Sequence, residues 1–561
     1  NVLLIMTDDQ GWGDLHAHDN EKIDTPVLDT LRMQGARFER FFVSPVCAPT
    51  RASLLTGRYH PRTGVHGVTR TYETMREDEA TVAEALKRAG YATGCFGKWH
   101  NGAHYPQNPN GQGFDEFLGF CAGHWNNYFD TTLEHNGELV ETQGYITDVL
   151  ADAAIAFIEE NRRRPFFCYV PYNAPHGPFQ VADKYFDKYK ARGLNDKLAC
   201  IYGMCENIDD NVGRLLRRLD ALDLADDTIV LFLTDNGANS DRYDGGMKGR
   251  KGSIDEGGVR VPLFVRWPGR IEPGTQVSQI AGHIDLFPTI MDLCGQSMPK
   301  TKPLDGISLA PLLRGTTEDW PDRMLFTFRS WAGNTDNMRG AVRTQRWRAV
   351  KDRRGWELYD MVDDPGQEKD LASEHPDVLA RLRRAYEDML RDVTKHGFEP
   401  IPTHVGYPDW PLVTLHGHEA FLEPARGEGI SYRGASGWAN DWITNWTDTD
   451  AYAWWPLKVV RPGRFEVTLL YVCPKEDVGT KFRVELGGQT VEGTIREAHD
   501  PDPIHSPDRV ARNEVYEKVW AKLLLGTVEL TTGGPRLILR ALDIPGHQAA
   551  DIKAVQLRRT D

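Results

Sequence analysis

Between residue 1 and about residue 320, short apolar runs alternate with amphipathic stretches. The runs are Val2–Met6, Tyr91–Phe96, Phe166–Val170, Thr228–Leu233 and Leu263–Val265. Each is strand-sized and apolar throughout, as strands buried on both faces are. Between them, Thr81–Ala89, Thr147–Glu160 and Ala199–Leu222 repeat apolar positions at helical spacing. This rhythm predicts an α/β fold, a mostly parallel sheet flanked by helices. Strand-like segments follow at Met324–Phe328, Ala341–Arg343, Arg348–Val350 and Glu357–Tyr359, then a helix at Pro376–Val393, which together read as a small antiparallel subdomain. Residues 397–412 are rich in Gly and Pro and read as a linker. Beyond it, Phe465–Val472, Lys481–Leu486, Gly526–Thr531 and Arg536–Ala541 alternate with period two between Gly turns, which predicts a β-sandwich. The expected organisation is an α/β domain at 1–320, its antiparallel subdomain at 321–396, the linker, and an accessory sandwich at 413–561.

Composition narrows the function classes. No apolar run approaches the ~20 residues needed to span a bilayer. With 40% hydrophobic and 26% charged residues, the chain is neither disordered nor fibrous. A net charge of −15 argues against a nucleic-acid partner. None of the eight cysteines forms Cys-x-x-Cys, and Cys200 and Cys205 are badly spaced for zinc, so buried free thiols are expected. The chain opens at Asn1 inside a strand with no initiator Met, which reads as the loss of a preceding segment; any signal peptide is then out of view.

In open α/β sheets ligands bind beyond the carboxyl ends of the strands. Just past Val2–Met6 come Thr7-Asp8-Asp9, and past Thr228–Leu233 come Thr234-Asp235-Asn236-Gly237. Three carboxylates and an amide make an all-oxygen set suited to a hard divalent cation. Past Tyr91–Phe96 come Gly97-Lys98-Trp99-His100, with Lys98 and His100 on one side of an extended segment. Past Phe166–Val170, His176 stands between Pro175 and Pro178. Two histidines and a lysine beside an anionic metal cluster suit the binding of an oxyanion ester and proton transfer. The segment Lys248-Gly249-Arg250-Lys251-Gly252 lacks the Gly-Lys-Ser/Thr order of a nucleotide loop, so ATP binding is rejected. His16, His18 and His60 read as surface or loop histidines.

The most specific segment is Cys47-Ala48-Pro49-Thr50-Arg51 followed by Leu55-Thr56-Gly57-Arg58. Pro49 fits a first helical turn and Gly57 a helix end, placing Cys47 at a helix N-terminus that favours negative oxygen. This segment matches the sulfatase signature. With Asp8–Asp14, Thr25-Pro26, Gly97–His100, Ala174–His176, Asp235–Gly237, Lys251-Gly252 and Glu256–Pro262 in order, residues 1–395 resemble a type I, formylglycine-dependent sulfatase of the alkaline phosphatase superfamily. Thr50, where serine or alanine is commoner, and Asp255, where an aromatic is common, depart from the pattern without touching the chemistry.

The resemblance implies the following roles. Cys47 is oxidised to formylglycine by a maturation enzyme, and the hydrated aldehyde attacks sulfur. Asp8, Asp9, Asp235 and Asn236 hold calcium. Lys98 and Lys251 bind sulfate, Arg51 steadies the nucleophile, His176 protonates the leaving oxygen, and His100 takes the proton that releases sulfate. The expected activity is hydrolysis of a sulfate ester on a carbohydrate, in a periplasmic or secreted setting set by that substrate class. The alternatives are a phosphonate monoester or phosphodiester hydrolase of the same superfamily, or a non-catalytic glycan-binding protein. Gly123–Tyr128, with His124 and Trp125, is the candidate substrate wall, since aromatic faces stack on sugars. In the tail, Trp442 and Trp446 offer either a glycan-binding face or core packing.

Overall fold

The computed structural model describes residues 1–561 except 317–319, 330–334, 336–337, 426 and 435–436. Its centre is a ten-stranded sheet in which Val2–Thr7 lies between Phe166–Pro171 and Ile229–Thr234, parallel to both. Ala92–Lys98 and Glu116–Phe120 extend the parallel array on one side, and the hairpin Thr132–His135/Glu138–Glu141 closes that edge. On the other side Leu263–Arg266 runs antiparallel to Ile229–Thr234 and leads to Ala36–Phe38 and Thr275–Val277. Alternate residues of Val2–Thr7 feed opposite faces, as the pleat requires. Leu4 and Met6 join a core with Cys47–Thr56, Val82–Arg88 and Leu286–Leu293. Leu3 and Ile5 join the other, with Pro26–Gln34, Ile146–Glu160 and Asp196–Ala221. The apolar runs are continuous because both faces are covered.

A four-stranded antiparallel sheet follows, ordered Leu325–Arg329, Arg339–Arg343, Trp347–Asp352 and Gly355–Asp360. The helix Pro376–Val393 packs on it through Leu382, Tyr386 and Leu390. Glu256, from the Glu-Gly-Gly motif, ties this unit to the main domain: its Oε2 accepts from Arg343 at 3.0 Å and Arg348 at 2.8 Å.

Two further sheets, each with six strands, pack through one shared core and form the C-terminal β-sandwich. The stretch read as a linker is not connector throughout. Thr403–Val405 pairs in parallel with Tyr452–Val459, and the next strand, Leu412–His416, pairs with Asp551–Arg559. Trp442 and Trp446 do not face solvent. They are 3% and 0% exposed, and Trp446 packs edge-on against Phe482. The strand here is only Ile443–Thr444, too short to set both indoles on one open face. His18 and His60 also differ from expectation: both are buried, His18 stacked on Trp12 and His60 bonded to the carbonyls of Val65 and Phe328. All eight cysteines are free thiols, seven of them buried. Among the described residues no helix is long and apolar enough to cross a membrane.

Candidate active site

Thr7 and Thr234 are parallel partners at the ends of adjacent strands, so Asp8 and Asp235 leave the sheet side by side. Asp9 follows with a left-handed φ of 65° and accepts from Asn236 Nδ2 at 2.8 Å. Gly237 completes the turn; a Cβ there would lie 1.9 Å from the Gly257 carbonyl oxygen, so only glycine fits. Asp8, Asp9, Asp235 and Asn236 are all buried.

Cys47 begins the helix Cys47–Thr56, which ends at Gly57 with φ 67°. Its thiol is 4% exposed and groups with carboxylate oxygens of Asp8 and Asp235, all within 4.8 Å of one another. Burial pushes the thiol's pKa up, against the fields of Lys98 and Lys251, so an unmodified thiolate is disfavoured. Arg51, one turn on, is fully buried. It donates to Asp235 Oδ2 at 2.9 Å, to Asp8 Oδ2 at 3.2 Å and to the Lys98 carbonyl at 2.6 Å.

The remaining basic groups arrive from neighbouring strand ends. Lys98 pairs with Asp8, and Lys251 lies 2.6 Å from Asp9 Oδ1. His100, with φ 63°, donates from Nε2 to the Val68 carbonyl at 3.0 Å, which leaves Nδ1 buried without a partner. Burial and then Lys98 push its imidazole well below the usual range, so it stands neutral with a free lone pair. His176 donates from Nδ1 to the Gly177 carbonyl at 2.8 Å, and its Nε2 lies 3.7 Å from Asp9 Oδ2.

The donor set suits a hard cation. Asp8 Oδ1 and Asn236 Oδ1 are buried acceptors without partners, and three carboxylates surround them. Burial and then Asp8 raise the Asp235 carboxyl to about 7 against the pull of Arg51.

His124 joins this set and Trp125 does not. The His124 ring is 6% exposed and lies parallel to His176 with centroids 6.0 Å apart, while its Nε2 has no partner. Trp125 stacks on Phe120 and donates to Thr131 Oγ1, facing the core. Sequence reasoning missed three supports. Asn239 donates to Asp9 Oδ2 at 3.1 Å, Tyr128 donates to the carbonyls of His176 and Gly177, and Asn440 of the sandwich donates to the His124 carbonyl. Asn239 lay within the turn after Asp235 and was legible by proximity; Tyr128 lay in the segment read as a substrate wall, not as a support of His176; Asn440 carried no signal.

The model of the family described as Sulfatase matches residues 1–296, and that described as N-sulphoglucosamine sulphohydrolase, C-terminal, matches 250–394. Arylsulfatase A of Homo sapiens is 33% identical over 433 residues, covering 68% of this chain and 81% of its own. N-acetylgalactosamine-6-sulfatase of Homo sapiens is 33% identical over 359 residues, 57% of this chain and 67% of its own. Among solved structures, Ps i-CgsB in complex with k-i-k-neocarrahexaose superposes with a TM-score of 0.66 at 29% identity, covering 72% of this chain and 95% of that one. The phosphonate monoester hydrolase of Agrobacterium radiobacter, at 22% identity and a TM-score of 0.55 over 71% of this chain and 95% of that one, shares the fold. A family match spanning more than half of the chain, and containing nearly every residue gathered at these strand ends, makes this protein a member of the sulfatase family, a sulfatase-type hydrolase of the alkaline phosphatase superfamily.

Proposed function

We propose that the protein removes sulfate from a sulfated carbohydrate, with Cys47 matured to formylglycine and calcium held by Asp8, Asp9, Asp235 and Asn236. The observation that carries this reading is the buried grouping of Cys47 with the Asp8 and Asp235 carboxylates at a helix N-terminus, beside two unpartnered acceptor oxygens. The substrate class is supported by relatives named for N-acetylgalactosamine-6-sulfate hydrolysis and by the carrageenan-derived ligand in the Ps i-CgsB structure.

A hydrated formylglycine supplies an oxygen nucleophile, and calcium supplies positive charge that favours its ionised form and neutralises sulfate oxygens. The chain's own groups do the rest. Arg51, fixed by two carboxylates and a carbonyl, holds one end of the cluster immobile one turn from position 47. Lys98 and Lys251 bring cationic charge to the sulfate oxygens, where negative charge is present throughout. His176, with Nδ1 committed to the Gly177 carbonyl, presents Nε2 to give a proton to the departing sugar oxygen. An anionic ester beside it offsets the field of Lys251, which after burial most disfavours its protonated form. His100 accepts a proton at its unpartnered Nδ1. A periplasmic or secreted location and a partner enzyme that oxidises Cys47 belong to the same proposal.

The test is kinetic and chemical together. Mature protein should turn over an aryl sulfate at least ~100-fold faster than an aryl phosphate diester, and peptide mass spectrometry should find the aldehyde at position 47. Cys47→Ala should keep the fold and lose turnover. High specific activity from a homogeneous Cys47 thiol would overturn the mechanism, and a preference for the diester would overturn the substrate class.

A further inference from the structure

Residues 495–520, between strands Gln489–Thr494 and Ala521–Leu530, bring the sandwich to the catalytic edge alongside the Asn440 contact. Buried polar groups fasten it there. Gln180, fully buried, donates to Ser506 Oγ at 2.6 Å and Asp508 Oδ1 at 2.7 Å. Arg512, its side chain 2% exposed, pairs with Asp508 at 2.8 Å and donates to the Asn126 carbonyl at 2.6 Å. Glu517 accepts from Asn126 Nδ2 at 2.9 Å. The connection is therefore fixed to the loop that carries His124, which is itself stacked on His176.

Glu514 lies between these anchors and shares none of their bonds. It is half-buried, and a Cβ placed on Gly177 would lie 3.5 Å from its Oε1. Gly177 is the residue whose carbonyl holds His176 Nδ1. Among the described residues Glu514 has no hydrogen bond or ion pair. On the catalytic domain His124 Nε2 is buried without a partner. A buried unpartnered nitrogen and a half-buried carboxylate thus stand near the histidine assigned to the leaving oxygen, one on each domain.

We infer that Glu514, carried by the accessory sandwich, determines which leaving group the site accepts. Its carboxylate takes a hydrogen bond from a hydroxyl or amino group of the sugar whose ester oxygen His176 protonates. It repels a second sulfate or a carboxylate at the same position. The inference rests on the sulfatase reading above and adds the chemistry of the neighbouring substituent. Glu514 touches the sugar and not the reacting atoms, so a small aryl sulfate has nothing for it to read.

The experiment uses the full-length, matured chain as wild type, Glu514→Gln and Glu514→Ala. Each is assayed on 4-nitrophenyl sulfate and on paired mono- and disulfated hexosamines and galactosides. Both variants should hold kcat/KM on the aryl sulfate within about twofold. On monosulfated sugars kcat/KM should fall about 10- to 100-fold, the range for one hydrogen bond to a charged group. The ratio of disulfated to monosulfated turnover should rise at least tenfold in Glu514→Gln. An unchanged ratio, with wild type active on the sugars, would overturn the inference and leave the sulfatase reading standing. Equal losses on aryl and sugar esters would also overturn it, because they mark a structural role. Failure of matured wild type on every sulfate ester would instead remove the reading on which the inference stands.

Discussion

Two of the clusters of buried charge in this molecule differ in what they leave unmet. At the strand ends, Asp8, Asp9 and Asp235 meet Arg51, Lys98 and Lys251, and the orphaned atoms are acceptors, Asp8 Oδ1 and Asn236 Oδ1. Behind them, Glu256 meets Arg343 and Arg348, and the orphaned atoms are donors, Nε of both arginines and one further Arg343 nitrogen. Burial alone would raise the Glu256 carboxyl, but Arg343 and Arg348 hold it below the usual range. Spare buried acceptors on hard oxygens call for a cation, whereas spare guanidinium donors do not. The Arg343 guanidinium spends its other face on the Phe42 ring, 3.4 Å from the centroid. Charge density is alike in the two clusters; the sign of their unmet bonds separates them.

The sharpest way to break this contrast is Asp235→Asn, which keeps volume and removes one carboxylate. Turnover of an aryl sulfate should fall by more than the ~100-fold typical of losing an outer-shell partner of a metal ligand. Added calcium should raise the melting temperature of wild type and not of the variant. Retained activity with a retained calcium shift would deny the cluster its role. The second test is Glu256→Ala, which strands two buried arginines. It should cost about 3–5 kcal/mol of stability, read as a lower unfolding midpoint, while turnover per folded molecule stays within a few-fold. An unchanged midpoint would show that Glu256 is not the tie between the domains.

The smallest effect concerns a third charged pair, at the seam with the sandwich, where His104 Nε2 lies 3.1 Å from Glu419 Oε1. Burial opposes the charged His104, yet Glu419 outweighs it and holds the imidazole above its usual range. Burial likewise opposes the Glu419 carboxylate, and His104 draws it well below. Glu419 thus stabilises the fold above about pH 4.3 and loses this as pH falls through its depressed value. His104 stabilises below about pH 6.5 and loses this as pH rises through its raised value. Glu73 nearby, raised to about 8 chiefly by burial, acts in the same sense as His104, because the fold holds its proton longer than the unfolded chain does. His416 and His418 beside this pair, held down to about 4 and about 3 chiefly by burial, act in the opposite sense, so the pair is read as a difference: the melting-temperature gap between wild type and Glu419→Gln should narrow by a few degrees from pH 6 to pH 8.5. A gap that stays constant or widens over this interval would refute the assignment.

What was legible in the chain followed from local rules. Val2–Met6 and Phe166–Val170 read as buried strands because both faces of the sheet are covered, and chemistry at their ends followed from topology. Cys47 and Arg51 read as one unit because a helical turn separates them. What stayed hidden depends on distant approach. No local pattern places Glu514 near Gly177, or Asn440 beneath His124, across more than 300 residues. The left-handed backbone of Asp9 and His100 is imposed by the surrounding site, not by their side chains. Trp442 and Trp446 stayed open between two readings because aromatic content marks both cores and sugar platforms, and packing decides for the core.

The strand Val2–Thr7 has a further meaning when the chain is considered as it is made. It is synthesised well before its two sheet neighbours, which end at residues 171 and 234. At about 5–20 residues per second, on the order of ten to fifty seconds separate translation of Asp8 from translation of Lys251. For that interval the helix carrying Cys47 has no completed sheet to pack against. Once the sheet closes, the thiol is 4% exposed beneath the strand ends. On the maturation proposed above, that interval is when an enzyme would reach Cys47 before the sheet closes over it.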